Sequence, residues 1–190
     1  PGKEAVLQLL EKDRRMMVLL IREGERAYEL ADDLEKLNYS KETVKEFFQG
    51  RISLANFGEN ELEGFLYPAT YNLTPGESIS SVRKRLIDKF SRVMTELNFV
   101  EEIRLKNLTP YEGLIIASIV QSEGYSEDDF KKISRVIFNR LAAGMPLQMD
   151  STVLYALKER RLAVSNRDIN ISSSYNTYNK RGLPPTPIGN

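Results

Sequence analysis

Glu112, Ile116, Ile119 and Glu123 follow one another at intervals of four, three and four residues, a spacing that lays them along one face of a helix. Ile116 and Ile119 make that face apolar, and Glu123 extends it at the end of the run. Burial of a carboxyl group and the negative end of its own helix both favour the protonated form, the state a general acid needs. The plainer reading is that Glu123 pairs with an Arg or reaches solvent in the last turn. A second polar cluster comprises Gln148, Asp150, Ser151 and Thr152, and helix capping by Asp150 or Ser151 would account for it without a ligand. Asp150 and Glu123 are also a candidate carboxylate pair of an ordinary glycosidase, a reading that turns on their separation in space. Tyr175, Asn176, Thr177 and Tyr178 interleave rings with amide and hydroxyl groups, a composition suited to sugars and equally to a surface turn. The run Glu127-Asp128-Asp129 reads as a charged first helical turn rather than a metal site.

What the chain lacks narrows the chemistry further. Its 190 residues include no His and no Cys. That removes Ser-His-Asp triads, Cys nucleophiles, imidazole or thiolate zinc sites and disulfides. If the protein is an enzyme, a carboxylic acid is the natural carrier of the proton. Lys plus Arg and Asp plus Glu both total 27, a balance that argues against a nucleic-acid footprint. With 41% hydrophobic and 28% charged residues, the chain is that of a folded protein. Its longest apolar run, residues 16–21, is too short to span a bilayer, and no signal peptide is visible. The chain opens at Pro1 rather than Met, which suggests an excised portion of a longer protein.

The elements that must position these residues are signalled locally. Residues 16–22 predict a buried strand closed by Glu23-Gly24-Glu25. A helix follows on Ala27, Leu30, Ala31, Leu34 and Leu37. Another, capped by Ser40, carries Val44, Phe47 and Phe48 and stops at Gly50. A polar stretch leads into the β-prone segment 63–71, which Pro68 confines to an edge or bend. Ser78 caps a helix through Val82, Leu86, Phe90, Val93 and Leu97. Thr109-Pro110-Tyr111-Glu112 is a capping box with Pro at the first helical position; it opens the helix that ends at Glu123-Gly124. Ser126 opens the next helix, with Phe130, Ile133, Val136, Ile137 and Leu141 on one face, and a third starts near Asp150. Leu114, Ile116, Ile119, Val120, Ile133 and Ile137 are the expected core. The pattern predicts an α+β fold, with a small strand-helix-helix-strand unit packed on a mainly helical remainder.

Six blocks, in order, carry a resemblance to a known family. They are Leu62-Glu63-Gly64-Phe65-Leu66-Tyr67-Pro68-Ala69-Thr70-Tyr71, Ala117-Ser118-Ile119-Val120-Gln121-Ser122-Glu123, Val136-Ile137-Phe138-Asn139-Arg140-Leu141, Leu147-Gln148-Met149-Asp150-Ser151-Thr152-Val153, Tyr175-Asn176-Thr177-Tyr178 and Gly182-Leu183-Pro184-Pro185. Together they resemble the endolytic murein transglycosylase (YceG-like) family over about residues 16–190. The resemblance implies a LysM-like subdomain over 14–76 and a lytic transglycosylase domain over 77–190. It implies cleavage of the β-1,4 bond between N-acetylmuramic acid and N-acetylglucosamine in peptidoglycan strands, leaving 1,6-anhydro ends and limiting nascent strand length. Glu123 would be catalytic. Gln148, Asp150, Ser151, Thr152, Tyr175, Asn176, Thr177 and Tyr178 would line the glycan groove, with no metal or organic cofactor.

The implied setting is the extracytoplasmic side of the bacterial inner membrane, reached through an N-terminal helix that this sequence lacks. Partners would be glycan strands and synthases of the elongation or division machinery, with no nucleic acid. Two departures stand out. Gln121 replaces a Glu common in relatives, and the family continues past the Gly-Leu-Pro-Pro block whereas this chain stops at Asn190, implying that part of the groove lies beyond it. The rival readings are a hydrolase using Glu123 and Asp150, and a non-catalytic peptidoglycan-binding or divisome scaffold module.

Overall fold

A computed structural model describes residues 16–190. Positions 14 and 15 of the expected first subdomain lie outside the described residues. Strand β1 (Met17–Ile21) pairs antiparallel with β4 (Ala69–Leu73), Met17 opposite Leu73 and Ile21 opposite Ala69. Leu19 and Ile21 are buried while Val18 and Leu20 are exposed, so β1 is not the fully buried strand its apolar run predicted. A two-stranded sheet has one face on the core and one toward solvent, and side chains alternate between them.

The chain between these strands is richer than its sequence suggested. A 3₁₀ turn (Ala27–Glu29) leads into helix α1 (Leu30–Lys36), and α2 (Lys41–Phe48) is capped by the Ser40 hydroxyl, which accepts from Thr43 N. The polar stretch after Gly50 holds a hairpin, β2 (Ile52–Leu54) with β3 (Gly58–Asn60), whose turn is made by left-handed Asn56 and Gly58. The strand expected over 63–71 begins only after Pro68, because proline cannot donate to the ladder. Before it, Leu62, Phe65 and Leu66 are buried in irregular backbone.

Five helices follow: α3 (Ile79–Glu96), the short α4 (Phe99–Arg104), α5 (Pro110–Glu123), α6 (Glu127–Ala142) and α7 (Asp150–Leu157). The described residues thus form an α+β fold of seven α-helices and two small antiparallel sheets. Helix α4 had no counterpart in the sequence reading. The capping box of α5 forms as expected, Thr109 Oγ1 accepting from Glu112 N while the Glu112 carboxylate accepts from Thr109 N. Gly124 ends α5 in extended backbone; a Cβ there would lie 2.5 Å from the Phe130 ring, so only glycine lets the chain turn directly into α6.

The apolar residues form two clusters with α5 between them. Leu114 joins the first, with Leu19, Leu34, Phe47, Phe65 and the buried face of α3. Ile115, Ile116 and Ile119 join the second, with Ile137, Leu147, Met149 and Ile188. Of the expected core, Leu114, Ile116, Ile119 and Ile137 are buried, whereas Val120 and Ile133 are half-buried; Val136, read onto the apolar face of α6, is exposed. The 182–190 segment returns to the first part of the chain, where the Asn190 side chain accepts from Gly64 N and Leu66 N and donates to the Glu25 carbonyl.

Candidate active site

Helix α5 delivers Glu123 to its last turn, half-buried, because the stripe of Ile116 and Ile119 beneath it is anchored in the second core. There its Oε1 accepts from the backbone N–H of Ser151 at 3.0 Å, in the first turn of α7. The carboxyl group therefore stands at the C-terminus of one helix and the N-terminus of another, whose dipoles act on it in opposite senses. No other polar contact holds it among the described residues, so Oε2 is left free.

This contact also bears on the capping expected of the 148–152 cluster. Neither Asp150 nor Ser151 caps α7; the N-cap position is Met149, which makes no side-chain cap bond. Ser151 N is instead satisfied by Glu123, and Thr152 Oγ1 donates to the Met149 carbonyl. Both oxygens of Asp150 are engaged, Oδ1 by the hydroxyl of Tyr178 and Oδ2 by Val164 N.

The loop at 175–178 lies beside this helix start, but its four residues have different fates. Asn176 and Thr177 are buried: the Asn176 amide donates to the carbonyls of Ile169 and Ile171 and accepts from Tyr178 N. Thr177 Oγ1 accepts from Met149 N at 3.0 Å and lies 2.9 Å from the hydroxyl of Thr152, itself fully buried. Gln148 N donates to the Thr177 carbonyl, and Gln148 takes a left-handed φ of 50° with its side chain exposed. Tyr178 reaches Asp150; desolvation, followed by that bond and the nearby acidic groups, pushes its phenol up to about 12. Tyr175 lies apart, its hydroxyl paired with Thr186 and its ring 4.9 Å from that of Tyr155.

A cleft of about 220 Å³ opens at Glu123, lined among others by Arg26, Ser122, Asp150, Ser151, Arg160 and Arg161. Of the residues the sequence singled out, Glu123, Asp150 and Ser151 line it. Tyr178 sits behind Asp150, while Thr152, Asn176 and Thr177 are turned inward. The three arginines carried no signature in sequence, although Arg160-Arg161 is a doublet just past α7. Gln121 faces elsewhere, into a second cavity shared with Glu23, Tyr67, Ala117 and Asn190.

A family model described as the YceG-like family matches residues 2–190. The chain is 34% identical over 151 residues to the endolytic murein transglycosylase of Bacillus subtilis (strain 168), covering 77% of this chain and 41% of that protein. It is 37% identical over 132 residues to the endolytic murein transglycosylase of Streptococcus pneumoniae serotype 2 (strain D39 / NCTC 7466), covering 67% of this chain and 24% of that protein. The chain thus spans well under half the length of the curated relatives it matches. A crystal structure of a YceG-like protein from Listeria monocytogenes superposes with a TM-score of 0.77 at 28% identity, covering 100% of this chain and 68% of that one.

Proposed function

The chain belongs to the YceG-like family, and we propose that it is an endolytic lytic transglycosylase of peptidoglycan. The observation that carries the reading is the placement of Glu123. One carboxyl oxygen is fixed by Ser151 N at 3.0 Å, the other is free, and both belong to a residue lining an open cleft. Protonated on Oε2, Glu123 would give its proton to the glycosidic oxygen between N-acetylmuramic acid and N-acetylglucosamine. As the carboxylate it would then remove the proton of the muramyl C6 hydroxyl while that oxygen closes on C1. The products are a 1,6-anhydro end and a free N-acetylglucosamine hydroxyl, and no water is consumed. A single carboxyl group serves both proton transfers.

Asp150, the second carboxylate that a hydrolase would use, accepts one hydrogen bond on each oxygen, from the Tyr178 hydroxyl and from Val164 N. Ser151, Asp150 and Tyr178 are our candidates for the groove wall nearest the reacting bond, with Gln148 and Tyr175 further out. Thr152, Asn176 and Thr177 hold the loop that positions them. The strand order around α1 and α2, closed by the β1–β4 pairing, supports a LysM-like unit in the first part of the chain. No described helix is long and apolar enough to cross a membrane, so the inner-membrane anchor and the synthase partners are proposed from family membership alone.

Digestion of purified glycan strands in water enriched in oxygen-18 tests the reading directly. Transglycosylation leaves muramyl ends lighter by one water and free of the label; labelled reducing ends would establish hydrolysis instead, and intact strands would leave only a binding module.

A further inference from the structure

Among the described residues, three buried side-chain polar atoms lack a hydrogen-bond partner, and two of them, Arg26 Nε and Ser151 Oγ, belong to residues lining the Glu123 cleft. Arg26 is the more telling. It is only 4% exposed, yet no carboxylate lies within salt-bridge distance of it among the described residues. Its partners are dipoles and a π-face: Nη1 donates to the Tyr28 hydroxyl at 2.8 Å, Nη2 donates to the Glu159 carbonyl at 3.0 Å, and the guanidinium sits 5.4 Å from the centroid of the Tyr155 ring.

Guanidinium cannot shed its charge by deprotonation, and a buried charge without a counter-charge is a costly arrangement. The neighbouring carboxylates are committed. Glu29 is held by Arg160 through both oxygens, and the Glu159 carboxylate pairs with Arg161. Glu63, nearby and buried, is bound by Ala27 N and the Tyr155 hydroxyl, and burial pushes it up to about 7, so near neutrality it is only partly ionised. Glu29 and Glu63 act on Arg26 only through space, and neither bonds its guanidinium, so Nε keeps a donor for a further negative group.

We propose that Arg26, with the Ser151 hydroxyl, is a specificity-determining subsite that receives a carboxylate of the substrate beside Glu123. The assignment rests on the transglycosylase reading and deepens it. The muramyl ring that offers C1 and C6 to the reaction also carries a lactyl group at C3, which ends in a carboxylate when no peptide is attached. When a peptide is attached, the carboxylates lie along that peptide. Both sources present the same chemistry to a guanidinium and a hydroxyl. The inference also makes the first part of the chain a wall of the catalytic cleft, since Arg26 precedes α1.

The test compares KM and kcat on three substrates: peptide-free strands, the same strands with carboxylates converted to carboxamides, and strands bearing peptides. With the unsubstituted protein, amidation should raise KM on the order of tenfold to a hundredfold, an effect that shrinks at high salt. Arg26→Gln should raise KM for carboxylate strands by a similar factor and barely alter it for amidated strands, with Arg26→Lys recovering part of the loss. A penalty confined to peptide-free strands identifies the lactyl carboxylate, and one confined to peptide-bearing strands identifies the peptide. Indifference of the unsubstituted protein to amidation overturns the subsite without needing any variant. So does an Arg26→Gln loss of equal size on amidated strands, which would mark a purely structural arginine. Failure of the unsubstituted protein to cut any strand overturns the functional reading itself.

Discussion

The backbone N–H of Ser151 donates to Glu123 Oε1 at 3.0 Å across 28 residues of sequence. The end of α5 and the start of α7 are thereby joined through a carboxyl group that lines the cleft. The bond holds the side chain in one orientation and leaves Oε2 without a partner among the described residues.

Glu123→Gln should therefore keep the fold and lose the reaction. The amide oxygen still accepts from Ser151 N, but no titratable proton remains, and loss of general acid–base help costs about 10²–10⁴ in rate or more. Gln121→Ala should retain most activity, because Gln121 faces a different cavity. Anhydro-end formation, with thermal melting as the folding control, checks both; substantial turnover by folded Glu123→Gln protein would refute the assignment.

Thr177→Val should destabilise the protein although the two side chains match in shape. The substitution strips Met149 N of its acceptor and the Thr152 hydroxyl of its neighbour, in a fully buried setting. An unsatisfied buried donor costs about 1–3 kcal/mol. Urea denaturation measures the loss, and activity should fall with it as the Tyr178 loop loosens over Asp150.

Glu63 predicts a pH dependence with a definite sign. Burial raises its folded pKa from 4.5 to about 7, so the folded state holds the proton more tightly than the unfolded chain. Its contribution is fully present below pH 4.5 and is lost as pH rises through 7, a change of roughly 3 kcal/mol. In Glu63→Gln this dependence should vanish, since the amide can accept from Ala27 N and donate to the Tyr155 hydroxyl. The melting-temperature difference, variant minus parent, should thus grow more positive from pH 5 to pH 8. A constant difference would contradict the burial argument.

Gly64→Ala should be more harmful than an added methyl group usually is. Gly64 has a φ of +85°, and a Cβ would lie 2.5 Å from the Pro187 ring, where the returning 182–190 segment crosses it. Left-handed strain and overpacking together cost at least about 1–3 kcal/mol. The substitution should also release Asn190 from Gly64 N and Leu66 N, visible as faster amide exchange over residues 64–66.

The sequence by itself determined what depends on near neighbours along the chain. Ser40, Ser78, Thr109 and Ser126 each cap the helix that follows, because a cap is a bond between residues three apart. The same locality puts Glu123 on the face of Ile116 and Ile119. It could not show that β1 exposes Val18 and Leu20, since an apolar run reads alike whether one face or both are covered. It could not separate Tyr178, which reaches Asp150, from Asn176 and Thr177, which are buried in adjacent positions of one polar loop. Nor could it bring Arg26 to the cleft, where it meets the carbonyl of Glu159 from 133 residues away. Those facts belong to the tertiary structure, because they depend on the path of the chain between distant segments, and no short-range spacing encodes that path.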